Sequence, residues 1–173
     1  MSRFGAAINQ INIQGIAMAG CPCGSQQEYS LCCEPYLTNK RHPETPEALM
    51  RSRYAAYCLD NMDYIQASMR GRALVGFDAV DAKRVSWIKL EVLNTTLDTP
   101  HKGYVEFVAT FMDNHILKSM HEKSEFIREE GRWYYVDGVQ YSSTEATSKR
   151  PISRNSLCPC GSLRKYKNCH EKP

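Results

Sequence analysis

Two stretches of this chain could each gather four soft donors around one metal ion. The first reads C-P-C-G-S-Q-Q-E-Y-S-L-C-C from Cys21 to Cys33, and the second reads C-P-C-G-S-L-R-K-Y-K-N-C-H from Cys158 to His170. Both have the form C-x-C, eight residues, then C followed by C or H. The first supplies Cys21, Cys23, Cys32 and Cys33, and the second Cys158, Cys160, Cys169 and His170. Thiolate and imidazole donors favour zinc over magnesium or calcium, and four protein donors leave no position for a reacting water. The spacing predicts two Zn2+ per chain in closed, structural sites.

Disulfide staples and redox-active thiols are the competing readings of eight cysteines. His170 fits the disulfide scheme poorly, because an imidazole replaces a thiolate on zinc but orphans a sulfur in a pairing. The C-x-C cysteines are also too close along the chain to bond each other comfortably. The residues between the ligands suit a metal knuckle. Gly24 and Gly161 can adopt left-handed backbone to turn the chain under the ion, Ser25 and Ser162 can donate to thiolate sulfur, and Pro22 and Pro159 fix the backbone between the first two ligands.

The C-P-C-G-S start with its late C-C or C-H resembles the SEC-C motif, named for the zinc-binding tail of the SecA preprotein translocase motor. That resemblance implies zinc at all eight positions, and Tyr29 and Tyr166 match the aromatic of the motif. Two such motifs flanking about a hundred residues resemble the YchJ-like family of bacterial proteins. The SecA tail binds the acidic chaperone SecB. The resemblance therefore implies a protein partner of acidic character: a SecB-like chaperone or a component of secretion, translation or ribosome-associated quality control.

Charge supports an acidic partner. Between Ser148 and Pro173 lie Lys149, Arg150, Arg154, Arg164, Lys165, Lys167 and Lys172 against the single acid Glu171, while the whole chain has a formal net charge of only +3. The bland alternative is that this basicity offsets the negative zinc–thiolate centre or forms a solvated face. Arg164, Lys165, Tyr166 and Lys167 are the candidate partner-binding residues. Nucleic acid is the weaker option for them, since one aromatic among few cations is a small footprint.

The elements that must position these knuckles come from the middle of the chain. A composition of 42% hydrophobic and 24% charged residues is that of an ordinary globular protein. No run has the length of a membrane-crossing helix, and residues 4–19 are too interrupted by Asn and Gln for an export signal, so the expectation is cytoplasmic. Thr45, Pro46 and Glu47 form a helix start, and Leu49, Met50, Arg53, Tyr54, Tyr57 and Cys58 recur on one helical stripe up to about Leu59. Residues 61–70 could form a second helix carrying Met62, Ile65 and Met69. Alternation then marks strands through Ile88, Leu90 and Val92, through Val105 to Phe111, from Met120 to Ile127, and from Trp133 to Val136, with a hairpin at Gly131.

Helices followed by an antiparallel sheet make an α+β domain. The order, together with H-E-K-S-E-F-I-R-E-E-G-R-W-Y-Y-V-D-G, looks like the cone of the nuclear-transport-factor-two superfamily, whose curved sheet wraps a helix and often leaves a pocket. The expected division is a tail over 1–17, knuckles over 18–40 and 148–173, and the cone over 41–147. Strand alternation turns Glu122 and Ser124 inward, where Arg53 is the expected ion-pair partner for Glu122. Arg53, Tyr54, Tyr57, Glu122 and Ser124 are the candidate pocket, and a small-molecule binder or an isomerase- or dehydratase-type enzyme using it is the alternative to the first expectation, a non-enzymatic adaptor. No second acid, dyad or cofactor signature accompanies Glu122, so no residue is assigned a catalytic role. Cys58 reads as a small core residue, and His115 and His121 as surface residues.

Overall fold

The computed structural model describes residues 20–82, 85–141, 145–146, 151–160 and 162–171. The expected 1–17 tail, Gly161, and the basic residues Lys149, Arg150 and Lys172 lie outside the described residues. The chain enters through the first knuckle, including a 3-10 turn at Tyr29–Leu31, and a short helix α1 (Glu34–Leu37). Helix α2 (Pro46–Cys58) follows, then α3 (Met62–Ala67), α4 (Gly71–Val75) and α5 (Ala79–Ala82). The sheet is built from β1 (Ser86–Thr99), β2 (Lys102–Asp113), β3 (Ile116–Glu129), β4 (Arg132–Gln140) and β5 (Glu145–Ala146), and a 3-10 turn at Tyr166–Asn168 belongs to the second knuckle.

The start of α2 matches its sequence signals: Thr45 Oγ1 accepts from Ala48 N at 3.1 Å, and Pro46 occupies the first turn. This helix is buried on two sides. Leu49, Met50 and Tyr54 pack with Leu90, Val105, Phe107, Ala109, Phe126 and Trp133 of the sheet. Ala55 and Ala56 face Met62, Ile65 and Met69 and also the cysteines of the first knuckle. Only small side chains let helix and knuckle approach so closely. Gly103 performs a similar service on β2, where a Cβ would lie 2.8 Å from Pro46 Cγ.

The strands run antiparallel in the order β1-β2-β3-β4, with β5 paired to β3. Two hairpins turn through residues with positive φ, Asn114 and His115 between β2 and β3, and Glu130 and Gly131 between β3 and β4. Such pairs match the right-handed twist of the flanking strands. The inward side chains of β2 and β3 alternate as the sequence predicts: Val105, Phe107 and Ala109 stand beside Ser124, Glu122 and Met120.

The register shifts at four places elsewhere in the sheet, and two of these bulges bear on the sites. Between Trp87 and Lys89 the register on β2 advances by a single residue, so Ile88 is extra. Trp87 and Leu90 face the core, and Ile88 is turned to the outer face, where it meets Met112, Cys158 and Tyr166. The expectation that Ile88, Leu90 and Val92 share one face is therefore corrected at Ile88. The second bulge is at Val136, because Phe126 pairs with Tyr135 while Glu125 pairs with Asp137. It puts both Tyr135 and Gly138 on the inner face next to Ser124 and Glu122. Trp87 stacks among Tyr54, Tyr57 and Phe111, and its Nε1 is a buried donor without a hydrogen-bond partner among the described residues.

Candidate functional site

The four sulfurs of Cys21, Cys23, Cys32 and Cys33 lie within 4.8 Å of one another, and so do the donor atoms of Cys158, Cys160, Cys169 and His170. Cys23 and Cys32 are 3.6 Å apart, Cys32 and Cys33 3.8 Å, and Cys160 and Cys169 3.5 Å. A tetrahedron with metal–sulfur bonds of about 2.3 Å has edges of about 3.8 Å. His170 presents Nδ1, which is 3.2 Å from the sulfurs of both Cys158 and Cys169. These are two Cys-rich clusters able to hold a metal ion, and in each the protein supplies all four donors.

The same local hydrogen bonds build both clusters. Cys21 N donates to Gln27 O and Cys158 N to Arg164 O, and Cys32 N and Cys169 N donate to Tyr29 O and Tyr166 O respectively. The hydroxyls of Ser25 and Ser162 each lie 3.2 Å from the third cysteine of their knuckle, Cys32 and Cys169. Gly24 has the left-handed φ of +78 that its position calls for. A matched left-handed position occurs in both copies, at Gln26 (φ 63) and Leu163 (φ 58), and neither residue type announces it.

In the first knuckle Cys23 is held far below the usual thiol range, mainly by hydrogen bonds from Cys21 and Cys33. Cys21 is pushed up to about 12, first through its bond to Cys23, and Cys33 is pushed higher through its contacts with Cys21 and Cys23. In the second, burial raises Cys158 and lowers His170. A neutral imidazole is the form that ligates a metal.

Their surroundings differ. Cys21, Cys23 and Cys33 are buried in one apolar cluster with Ala55, Ala56, Met62, Ile65 and Met69, and Arg51 Nη1 donates to Cys23 O at 3.2 Å. The second knuckle lies on the outer face of the sheet against Ile88, Met112 and Leu117, tied at the β2–β3 hairpin by Ile152 N donating to His115 O. Of the proposed partner residues, Arg164, Lys165 and Lys167 are exposed. Tyr166 is only 3% exposed and meets the His115 ring edge-on. Its ring anchors the knuckle and is not available to stack on a ligand, which corrects the expectation for that residue.

Arg53, Tyr54, Tyr57, Glu122 and Ser124 all line a cavity of about 520 Å³ between α2 and the sheet. The expected Arg53–Glu122 ion pair is not made. Arg53 Nη1 donates to Ile65 O at 2.9 Å and to Ser68 Oγ at 2.6 Å, so the guanidinium ties α2 to the carboxyl end of α3. Glu122 Oε1 instead accepts from Ser124 Oγ at 2.6 Å and Tyr135 Oη at 3.3 Å. Tyr135 stands between the two charges, with Arg53 stacked 4.7 Å from its ring centroid. Tyr135, Ser68 and Gly138 are site residues the sequence reading missed. Their inward placement depends on the Val136 bulge and on the pairing of Met69 with Tyr135, and neither leaves a local pattern.

Comparison with known proteins agrees with this architecture. The family described as YchJ, middle NTF2-like domain, matches residues 45–138, and the SEC-C motif matches residues 154–172. UPF0225 proteins from Serratia proteamaculans and Photorhabdus laumondii are 41% and 40% identical to the chain over 156 residues, covering 86% of this chain and 96% of each relative. A SEC-C motif containing protein from Rhodopseudomonas palustris has a solution structure similar to this one, with 37% identity and a TM-score of 0.65, over 71% of this chain and 99% of that one. The crystal structure of another, from Psychrobacter arcticus, has 27% identity and a TM-score of 0.60, over 88% and 95% of the two chains. No helix among the described residues is long and apolar enough to cross a membrane.

Proposed function

This chain belongs to the YchJ (UPF0225) family, and from that premise we propose that it is a zinc-binding adaptor whose knuckles dock an acidic protein partner. The observation that carries the reading is the closure of both donor sets. With four protein donors at tetrahedral spacing, a metal there would organise the chain and would have no position for water or substrate. All-sulfur and three-sulfur-one-nitrogen sets at these distances suit Zn2+.

The second knuckle is the docking element in this reading. It presents Arg164, Lys165 and Lys167 in solvent, together with Leu163 and Leu157, which are 81% and 64% exposed. Arg154 is occupied by Glu171 at 2.8 Å. Three exposed cations around two leucines favour a partner with acidic residues at the rim of an apolar patch. An acidic SecB-like chaperone or an acidic component of the secretion or translation machinery is the partner class this reading favours, and the expected place of action is the cytoplasm.

The test is a pull-down from native lysate at several salt concentrations. Wild type is compared with a variant in which Arg164, Lys165 and Lys167 are all Ser, and with Cys160→Ser. Both variants should lose the partner, and binding by wild type should weaken as salt rises. If both recover the same proteins as wild type, the adaptor reading at this knuckle is wrong. Loss of the recovered material on nuclease treatment would favour nucleic acid as the partner instead.

A further inference from the structure

The cone holds more open space than its core needs, and one carboxylate in it is held with unusual care. The volume of about 520 Å³ lies within the range of about 300–1,000 Å³ common for small-molecule sites. Tyr57, Trp87, Phe107 and Met120 contribute to its walls. Among them Glu122 is 9% exposed, and Ser124 Oγ and Tyr135 Oη both donate to its Oε1. Gly138 completes the cradle, because a Cβ there would collide with Glu122 Oε1. Residues from two strands are thus committed to a single oxygen of Glu122.

The lining charges set the charge of the occupant. Arg53 and Glu122 are the buried pair and Arg72 and Asp78 an exposed one, so the lining carries two cations against two carboxylates. The hydrogen bonds of Arg53 go to Ile65 O and Ser68 Oγ, and its charge balances that of Glu122 across the Tyr135 ring, so a ligand bringing net charge to the buried end would leave one charge uncompensated. A neutral ligand leaves the balance intact. With Oε1 taken by two hydroxyls, Oε2 is the acceptor the carboxylate has to offer.

We propose that the cavity binds a neutral small molecule with a largely apolar or aromatic body and an O–H or N–H group that donates to Glu122 Oε2. This site is separate from the knuckles and does not rest on the adaptor reading.

The test titrates the zinc-loaded full chain by calorimetry with 2-naphthol, 2-methoxynaphthalene and 2-naphthoate. Naphthol should bind saturably. The methoxy compound, similar in shape but without the donor, should bind about three- to tenfold more weakly, as expected for one lost hydrogen bond. The anionic naphthoate should bind more weakly still.

Glu122→Gln keeps an acceptor for Ser124 and Tyr135 while putting an NH2 donor in place of Oε2, so it should reverse the order and favour the methoxy compound. A purely structural Glu122 would not produce that reversal. Gly138→Ala displaces the carboxylate without removing it and should erase the preference for naphthol while leaving apolar binding. If Glu122→Gln does not fold, Gly138→Ala alone decides. Absence of saturable naphthol binding, equal affinity for naphthol and its methyl ether in wild type, or an unaltered order in the variants would overturn the proposal.

Discussion

The two knuckles share one hydrogen-bond skeleton and differ in what lies behind them. The first has three of its cysteines buried against Ala55, Ala56, Met62, Ile65 and Met69, so its outer wall is also the wall of the cone's helical layer. The second rests on Ile88 and Met112 on the far side of the sheet, with Cys160, Cys169 and His170 half-buried. A thirteen-residue Cys-rich loop is therefore not a stability module of fixed worth. What metal binding contributes beyond the loop depends on the apolar surface that the loop, once closed, presents to the rest of the chain.

That contrast predicts that the cone depends on the first knuckle more than on the second, because only the first shares its buried cluster with α2 and α3. Cys23→Ser should be the most damaging single change. It removes a buried ligand and loosens the cluster that packs on α2 and α3, at a cost of about 4 kcal/mol or more, or a fall in melting temperature of roughly 10 °C in a chain of this size. Circular dichroism melts read this directly. The matched change Cys160→Ser should remove one of two zinc equivalents by elemental analysis while lowering stability by about 1–2 kcal/mol, because the second knuckle covers only a small outer patch. Equal melting shifts for the two variants would erase the distinction between them.

Arg51→Ala examines the tether between α2 and the first knuckle. Arg51 Nη1 reaches Cys23 O, and its Nε pairs with Glu47 at 2.8 Å on a partly exposed surface. The expected loss is about 1 kcal/mol, and chemical denaturation should detect it. The finest comparison is between Ser25→Ala and Ser162→Ala. Each removes a hydroxyl 3.2 Å from a cysteine sulfur and should lower zinc affinity by about tenfold in a chelator competition. Only the Ser25 change should also shift the melting curve once metal is lost. Identical behaviour of the pair would mean that the first knuckle is no more integral to the cone than the second.

Much of this was legible in the residues. The C-P-C-G-S repeat pointed to all eight clustered donor atoms because side chains within thirteen residues of one another can be gathered by local turns alone. The α2 start at Thr45 and Pro46, the inward stripe of that helix and the facing of Glu122 and Ser124 followed from capping chemistry and side-chain period. These signals are local, and the structure preserves them.

Sequence by itself determined which side chains could hold metal, where the principal helix begins and which strands alternate. Tertiary structure decided how those parts meet. The two bulges are the clearest cases. At Ile88 an extra residue turns an apolar side chain outward to seat the second knuckle, and at Val136 another brings Gly138 under Glu122. A period of two read along one strand cannot reveal a residue inserted relative to its neighbour, because the insertion is defined only by the pairing. For the same reason Arg53 shares a cavity with Glu122 but bonds to Ile65 and Ser68: the chain placed both charges inward, and the packing of α3 against α2 set the partners.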